Sequence, residues 1–206
     1  LDAADIKYAE QLGYRIKLLG ITKRTPEGVE LRVHPTLIPA KRLIANVEGA
    51  MNAVLVKGDA VGATLYYGKG AGAEPTASAV IADLVDVTRM HTADPEHRVP
   101  HLAFQPGAMV DLAILPMADV VTSYYLRLRV DDRPGVLADV TRILADDGIS
   151  IVAMIQREPG EGEEQTDIIM LTHKTRERNI DTAIAGIEAL SAVKGRIIRL
   201  RLEELQ

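Results

Sequence analysis

Leu128-Arg129-Val130-Asp131-Asp132-Arg133-Pro134-Gly135-Val136-Leu137-Ala138-Asp139-Val140 is the stretch on which the fold turns. It passes from a strand pattern through a turn into a helix pattern. Over 124–130, Tyr124, Leu126, Leu128 and Val130 alternate with Tyr125, Arg127 and Arg129, the period of a strand. Asp132-Arg133-Pro134-Gly135 is turn chemistry. Val136, Leu137, Val140, Ile143 and Leu144 then share one face of a helix over 136–147, which Gly148 ends. Residues 149–157 and 166–172 are strand-like, with an acidic loop over 159–165 between them. A helix over 176–190 aligns Ile180, Ile184, Ile187 and Leu190, and 197–202 is a last strand. The order β-α-β-β-α-β predicts a ferredoxin-like sandwich of four strands under two helices.

Outward toward the N-terminus the pattern changes. Ile6, Ala9 and Leu12, with Ala3 and Tyr8, make a short amphipathic helix that Gly13 closes. Residues 14–22 read as a strand, with Ile16, Leu18 and Gly20 on one face and Lys17, Leu19 and Ile21 on the other. Gly28 breaks it, and 29–34 alternates again, Leu31 and Val33 against Glu30 and Arg32. Pro35 and Pro39 are expected to stop that ladder. Residues 43–51 suit one or two helical turns, and 53–57 and 63–67 form a hairpin about Gly58-Asp59. After a Gly-rich stretch, Pro75 suits the first turn of a helix over 76–91. Ala77, Ala79, Val80, Ile81, Leu84, Val85 and Val87 make that helix apolar on most faces, which predicts burial between other elements. The organisation expected is a first domain over 1–92, a linker over 93–121 with Pro95, Pro100, Pro106 and Pro116, and a second domain over 122–206.

Composition excludes several classes. The 206 residues are 47% hydrophobic and 26% charged, enough for a packed core. One Phe, six Tyr and no Trp leave little for base stacking, and a net charge of -5 disfavours a nucleic-acid binder. With no Cys there is no disulfide, thiolate or Cys-based zinc chemistry. No apolar run approaches a membrane span, and the charged segment 1–13 is no signal peptide. Leu1 is not a start Met, so the chain is expected to be a piece of a longer protein. His34, His91, His97, His101 and His173 show no metal-ligand spacing, and no metal is expected. Asp146-Asp147 lacks calcium-loop spacing, and Ser78 has no nucleophile elbow. Glu161, Glu163 and Glu164 read as a solvated turn.

Gly68-Lys69-Gly70-Ala71-Gly72-Ala73-Glu74-Pro75-Thr76-Ala77-Ser78-Ala79-Val80 leads from a strand through glycines into a helix, a shape that can cradle a phosphate. It is not the dinucleotide fingerprint. The glycine after Gly70 comes at 72, and no acidic residue ends a second parallel strand. The alternative is a close-packing loop that feeds a buried helix.

The segment quoted first resembles the ACT domain. Its Asp-Arg-Pro-Gly-Val-Leu turn, the helix ending at Gly148-Ile149-Ser150-Ile151 and the βαββαβ order all fit. The resemblance implies a regulatory module that binds an amino acid where two copies meet. The free N–H groups at Gly135, Val136 and Leu137 would take the carboxylate. Asp131 or Asp132 would take the ammonium. Ser150 or the backbone of Ile149 and Ile151, on a neighbouring strand, would meet a side-chain hydroxyl. The plainer reading is a tight turn at Pro134-Gly135 with Asp132 as a helix cap.

Further motifs occur in order: Leu12-Gly13-Tyr14-Arg15-Ile16-Lys17-Leu18-Leu19-Gly20, Arg32-Val33-His34-Pro35-Thr36-Leu37-Ile38-Pro39, Ala45-Asn46-Val47-Glu48-Gly49, Asn52-Ala53-Val54 and the Gly-Ala-Gly-Ala-Glu-Pro-Thr-Ala-Ser-Ala-Val run. Together they resemble the C-terminal part of bacterial homoserine dehydrogenase, and the resemblance covers nearly the entire chain. It implies an α+β chain: a partial substrate and dimerisation domain with a mixed sheet, then the ACT domain. It implies an NAD(P)-dependent, cytoplasmic oxidoreductase that interconverts aspartate semialdehyde and homoserine in threonine and methionine biosynthesis. Gly72 would approach the cofactor, with Gly70 and Ala71 beside it. The family's Asp-x-x-x-Lys pair lies upstream of these motifs, so no catalytic residue is expected here and the chain alone is expected to be inactive. Lys17 is not that lysine. Threonine is the effector the family leads one to expect, and a homodimer or higher oligomer the assembly. A free-standing ACT regulator of a partner enzyme is the competing class.

Overall fold

The computed structural model describes residues 1–92, 106–160 and 162–205. Residues 93–105 of the expected linker, with Pro95, Pro100, His97 and His101, lie outside them, as does Glu161. The compact units fall as 1–45 with 112–206, and 46–111.

In the first unit, α1 (Ala3–Gln11) opens with a reciprocal cap. Asp2 Oδ1 accepts the Ala4 and Asp5 N–H groups at 2.8 and 3.3 Å, and the Asp2 N–H donates to Asp5 Oδ2 at 2.8 Å. β1 (Tyr14–Thr25) pairs antiparallel along its whole length with β2 (Gly28–Pro39). Contrary to the expectation, Pro35 does not stop the ladder: it pairs with Leu18. On its other side β2 meets β9 (Val193–Leu202) through Thr36 and Leu37, so at Pro35 the strand has an edge that tolerates a missing N–H.

The region after 120 folds as the predicted βαββαβ sandwich. β5 (Val121–Asp131), β6 (Ile151–Gln156), β7 (Gln165–Thr172) and β9 lie in the order β9-β5-β7-β6. A two-residue strand, β8 (Thr175–Arg176), pairs with the start of β5. α3 (Val136–Asp146) and α4 (Glu177–Glu188) cover one face, where Leu126, Leu128, Val140, Leu144, Ile168, Met170, Ile180 and Ile187 form the main core. The other face is covered by α1. Tyr8 and Ala9 pack there on Leu37, Tyr125, Ile169, Leu171, Leu200 and Leu202. Through the β2–β9 ladder the sheet runs β1-β2-β9-β5-β7-β6 without a break. The N-terminal helix and hairpin therefore share a sheet with the βαββαβ motif. A two-residue parallel ladder between strands more than 150 residues apart leaves no local trace in sequence.

β2 alternates as expected, but its polar side faces inward. Glu30, Arg32, His34 and Thr36 are buried, while Leu31 and Val33 are 51% and 73% exposed. The buried row is satisfied internally. Arg32 donates to Glu30 at 3.0 Å and to Glu203, and its Nη1 lies 3.2 Å from His34 Nε2. Burial, and then Arg201 and Arg32 nearby, hold the His34 imidazole below its ordinary value of 6.5. A histidine with a depressed folded pKa stays neutral in the fold and binds its proton only in the unfolded chain. Its protonation therefore withdraws stability as pH falls below about 6.5. Between pH 7.5 and 5.5 the urea midpoint of the chain is expected to drop. The drop should be smaller in His34→Asn, and an equal drop in both would place the titration elsewhere.

The second unit holds a two-stranded ribbon, β3 (Met51–Gly58) and β4 (Gly62–Lys69), and α2 (Ala73–Thr92). Within this chain α2 is exposed. Val80, Ile81, Leu84 and Val87 are 53%, 58%, 57% and 65% exposed. Apolar periodicity shows that a helix has a face to cover, not what covers it.

Candidate functional site

Two places carry the residues singled out by sequence. The first is the turn from β4 into α2. Gly70, Ala71 and Gly72 are all exposed, and α2 starts directly after them. Pro75 sits in its first turn, as expected, and the Thr76 N–H donates to Gly72 O at 3.1 Å. Gly72 has φ +123°, in the region that favours glycine. At Gly70 a Cβ would stand 2.5 Å from Asn52 Nδ2, so a side chain there would have to displace the exposed Asn52 amide. The open backbone at 70–72 and the start of α2 together fit a dinucleotide phosphate drawn close to the chain.

The second place is a cleft of about 410 Å³ at the C-terminal end of β5. The turn from Asp131 to Leu137 forms its wall, Val130 and Ile168 its apolar floor, and Gln156 at the end of β6 its far rim. Gly135 is the N-cap of α3, with φ +93°, and no side chain caps the helix. The first-turn residues Val136 and Leu137 line the cleft, and the Val136 N–H has a long internal partner, Arg133 O at 3.5 Å. The Asp132 reading as a cap is corrected. Its N–H donates to Glu164 O at 2.9 Å, and its carboxylate accepts Gln156 Nε2 at 3.4 Å across the cleft. Asp131 is held by Lys194 Nζ at 3.0 Å, which leaves Asp132 as the more available carboxylate. An anion-binding helix start beside a carboxylate, over an apolar floor, suits a zwitterion with a small side chain.

The cleft brings together Asp131, Asp132, Gly135, Val136 and Leu137 but not Ile149, Ser150 or Ile151. Those three lie where α3 hands over to β6. Ile149 is buried, its N–H donating to Leu144 O at 2.8 Å, and Ser150 O accepts the His173 N–H at 2.8 Å. β6 runs from Ile151 to Gln156, so the two groups are separated by the length of that strand, about 17 Å. Sequence reading missed Gln156, Arg133, Val130 and Ile168. Topology would have found Gln156. β5 and β6 both run antiparallel to β7, so their C-terminal ends lie at the same end of the sheet. Among the described residues no group of three or more His, Asp or Glu side chains could hold a metal ion, and no helix is long and apolar enough to cross a membrane.

Comparison with known proteins gives two family matches: the homoserine dehydrogenase family over residues 1–85 and the ACT domain over 124–192. The chain is 58% identical over 205 residues to the homoserine dehydrogenase of Pseudomonas aeruginosa, covering 100% of the chain and 47% of that relative. It is 56% identical over 206 residues to that of Neisseria gonorrhoeae, again covering 100% and 47%. The crystal structure of a homoserine dehydrogenase from Thiobacillus denitrificans superposes with a TM-score of 0.91 at 69% identity, over 100% of this chain and 46% of that one. The chain thus spans about half the length of the relatives it matches.

Proposed function

We propose that this chain, which matches the homoserine dehydrogenase family over residues 1–85 and the ACT domain over 124–192, serves an NAD(P)-dependent oxidoreductase interconverting L-aspartate 4-semialdehyde and L-homoserine in the cytoplasm, under amino-acid control. The cofactor, when bound, supplies the hydride. This chain's part is to offer backbone at Gly70, Ala71 and Gly72 as one wall of the cofactor site. No residue of this chain is assigned a part in proton transfer. The reading as a free-standing ACT regulator is disfavoured by the homoserine dehydrogenase match over residues 1–85.

The cleft at the β5–α3 turn carries the regulatory part of the proposal. Threonine is placed with its carboxylate on the amides of Gly135, Val136 and Leu137 and its ammonium on Asp132. Its methyl group rests on Val130 and Ile168. Titration calorimetry with L-threonine on the 206-residue chain tests this. Binding in the micromolar to low millimolar range is expected, and no heat at millimolar threonine would reduce the domain to a dimerisation module.

A second copy would complete the site. β6 is the edge strand of the sheet, and Val152 and Met154 on it are 57% and 43% exposed. A two-fold axis through the middle of β6 pairs two such edges antiparallel and sets Ile151 of one copy opposite Gln156 of the other. The Ile149–Ser150–Ile151 segment then reaches the neighbouring cleft, which it cannot do within its own chain. Light scattering at micromolar concentration is expected to give a dimer or a multiple of it, and a monomeric mass would count against this arrangement.

A further inference from the structure

We infer that Gln156 is the specificity residue of the effector cleft, its amide selecting a β-hydroxy-α-amino acid whose Cβ also carries a methyl group. The inference rests on the reading of the cleft as an effector site and names the chemistry that the site selects. Gln156 is the last residue of β6. In the β6–β7 ladder it stands opposite Ile168, and paired residues share a face of the sheet. Ile168 is buried on the side that α3 covers, so the Gln156 amide is aimed there too. It spans the cleft to Asp132, Nε2 donating to Oδ1 at 3.4 Å. Among the described side chains that line the cleft, Gln156 is the only neutral one able to hydrogen-bond. Asp131, Asp132 and Arg133 are charged, and the rest carry no polar atom.

Distances decide what fits between these groups. Asp132 Oδ1 and Gln156 Nε2 stand side by side, so the ligand groups that answer them must be close neighbours as well. An ammonium on Cα and a hydroxyl on Cβ are such a pair, roughly one hydrogen-bond length apart when gauche. The ammonium takes Asp132, and the Gln156 N–H donates to the hydroxyl. The contact they replace is exposed and at the long end of hydrogen bonding, so it gives way at little cost. The place of the methyl follows from the ladder. Cross-strand neighbours keep their Cβ atoms about 5 Å apart, so Ile168 lies beside Gln156 and receives the methyl that shares Cβ with the hydroxyl. The configuration at Cβ is selected as well. L-allo-Threonine cannot meet both groups: with its hydroxyl on Gln156, its methyl turns away from Ile168.

Titration calorimetry on the 206-residue chain tests this, with L-threonine, L-2-aminobutyrate and L-allo-threonine as ligands and wild type and Gln156→Leu as proteins. L-2-Aminobutyrate keeps the methyl and lacks the hydroxyl. The wild type should bind L-threonine about five- to tenfold more tightly than L-2-aminobutyrate, the worth of one neutral hydrogen bond. L-allo-Threonine should trail L-threonine by about fourfold, the worth of one methyl against the apolar floor. In Gln156→Leu the advantage of L-threonine over L-2-aminobutyrate should vanish, with L-2-aminobutyrate bound no more weakly than by the wild type. Gln156 is exposed at a strand end, so this variant folds, and its melting curve verifies that. A wild type that binds L-threonine and L-2-aminobutyrate equally overturns the assignment. So does a preference that survives in Gln156→Leu, which would give the hydroxyl to the Ile149–Ser150–Ile151 segment of a second copy. If none of the three ligands gives heat with the wild type, the cleft is no effector site and the inference falls with that reading.

Discussion

Glu177→Ala is expected to destabilise the chain by about 3–5 kcal/mol at neutral pH, the cost of removing one partner from a buried ion pair. The Glu177 side chain is 4% exposed at the start of α4. Its oxygens accept the Tyr124 hydroxyl at 2.7 Å, Arg201 Nε at 2.8 Å and Arg199 Nη1 at 3.2 Å, and Arg201 Nη2 also closes on it. Truncation strands a buried phenol without an acceptor and the Arg201 guanidinium without its paired carboxylate, while Arg199 keeps Asp181. Glu177→Gln keeps an acceptor for Tyr124 and should cost roughly half as much. Burial alone would raise the Glu177 carboxyl, but hydrogen bonds from Arg201 and Tyr124 and the arginine charges hold it below its ordinary 4.5. A carboxyl depressed in the fold contributes its stability above the unfolded value and loses it as pH falls through the folded one. The gap between wild type and Glu177→Ala should therefore be widest near pH 7 and shrink below pH 4.5. Urea midpoints at pH 7 and 3.5 check both statements, and a gap under about 1 kcal/mol at pH 7 would mean that solvent replaces the network.

Such a network is what sequence conceals. Glu177 reads as an ordinary first-turn acid of an amphipathic helix. Nothing local announces that Tyr124, Arg199 and Arg201 converge on it from β5 and β9. The same holds for Glu30, Arg32 and His34, where alternation along β2 was legible but its inward side was not, because ion pairs reverse the usual rule that the apolar side is buried. The βαββαβ order was legible because each element carries its own period. α3 shows apolar residues at 136, 137, 140, 143 and 144, and β5 alternates without interruption. The register with β2 was not, since it depends on two residue pairs distant in the chain. Those pairs act together with the packing of Tyr8 and Ala9 on the sheet. They tie α1, β1 and β2 to the ACT sheet and leave 46–111 as the other unit.

At the cleft, the turn residues Asp131 to Leu137 were legible from Pro-Gly chemistry followed by a helix period. The absence of a cap was not. Asp132 stands in the right place by sequence, but its carboxylate turns across the cleft to Gln156 instead. A helix start left uncapped, beside a carboxylate with one weak partner, is poor design for stability alone and sensible design for a ligand.

Gly135→Val is accordingly expected to abolish threonine binding in a chain that still folds. The φ of +93° strains any residue with a side chain, and a β-branched one most. No atom lies within 4 Å of a Cβ built there, so the new side chain enters the open cleft and not the core. Strain costs about 1–3 kcal/mol of stability, which a cooperative core of this size tolerates. Loss of the amide contacts to the carboxylate costs about 1.5–3 kcal/mol for each charge-assisted bond, a ten- to hundredfold fall in affinity before steric exclusion is added. Strain at the turn could by itself disturb the cleft, and Asp132→Ala separates the two causes. That residue caps nothing and has an ordinary backbone, so its removal should leave the melting temperature within about 2 °C while affinity falls roughly tenfold with the ammonium's partner. Calorimetry and melting curves on both variants decide the placement. If a folded Gly135→Val chain and Asp132→Ala both bind threonine as the wild type does, the amino acid sits elsewhere.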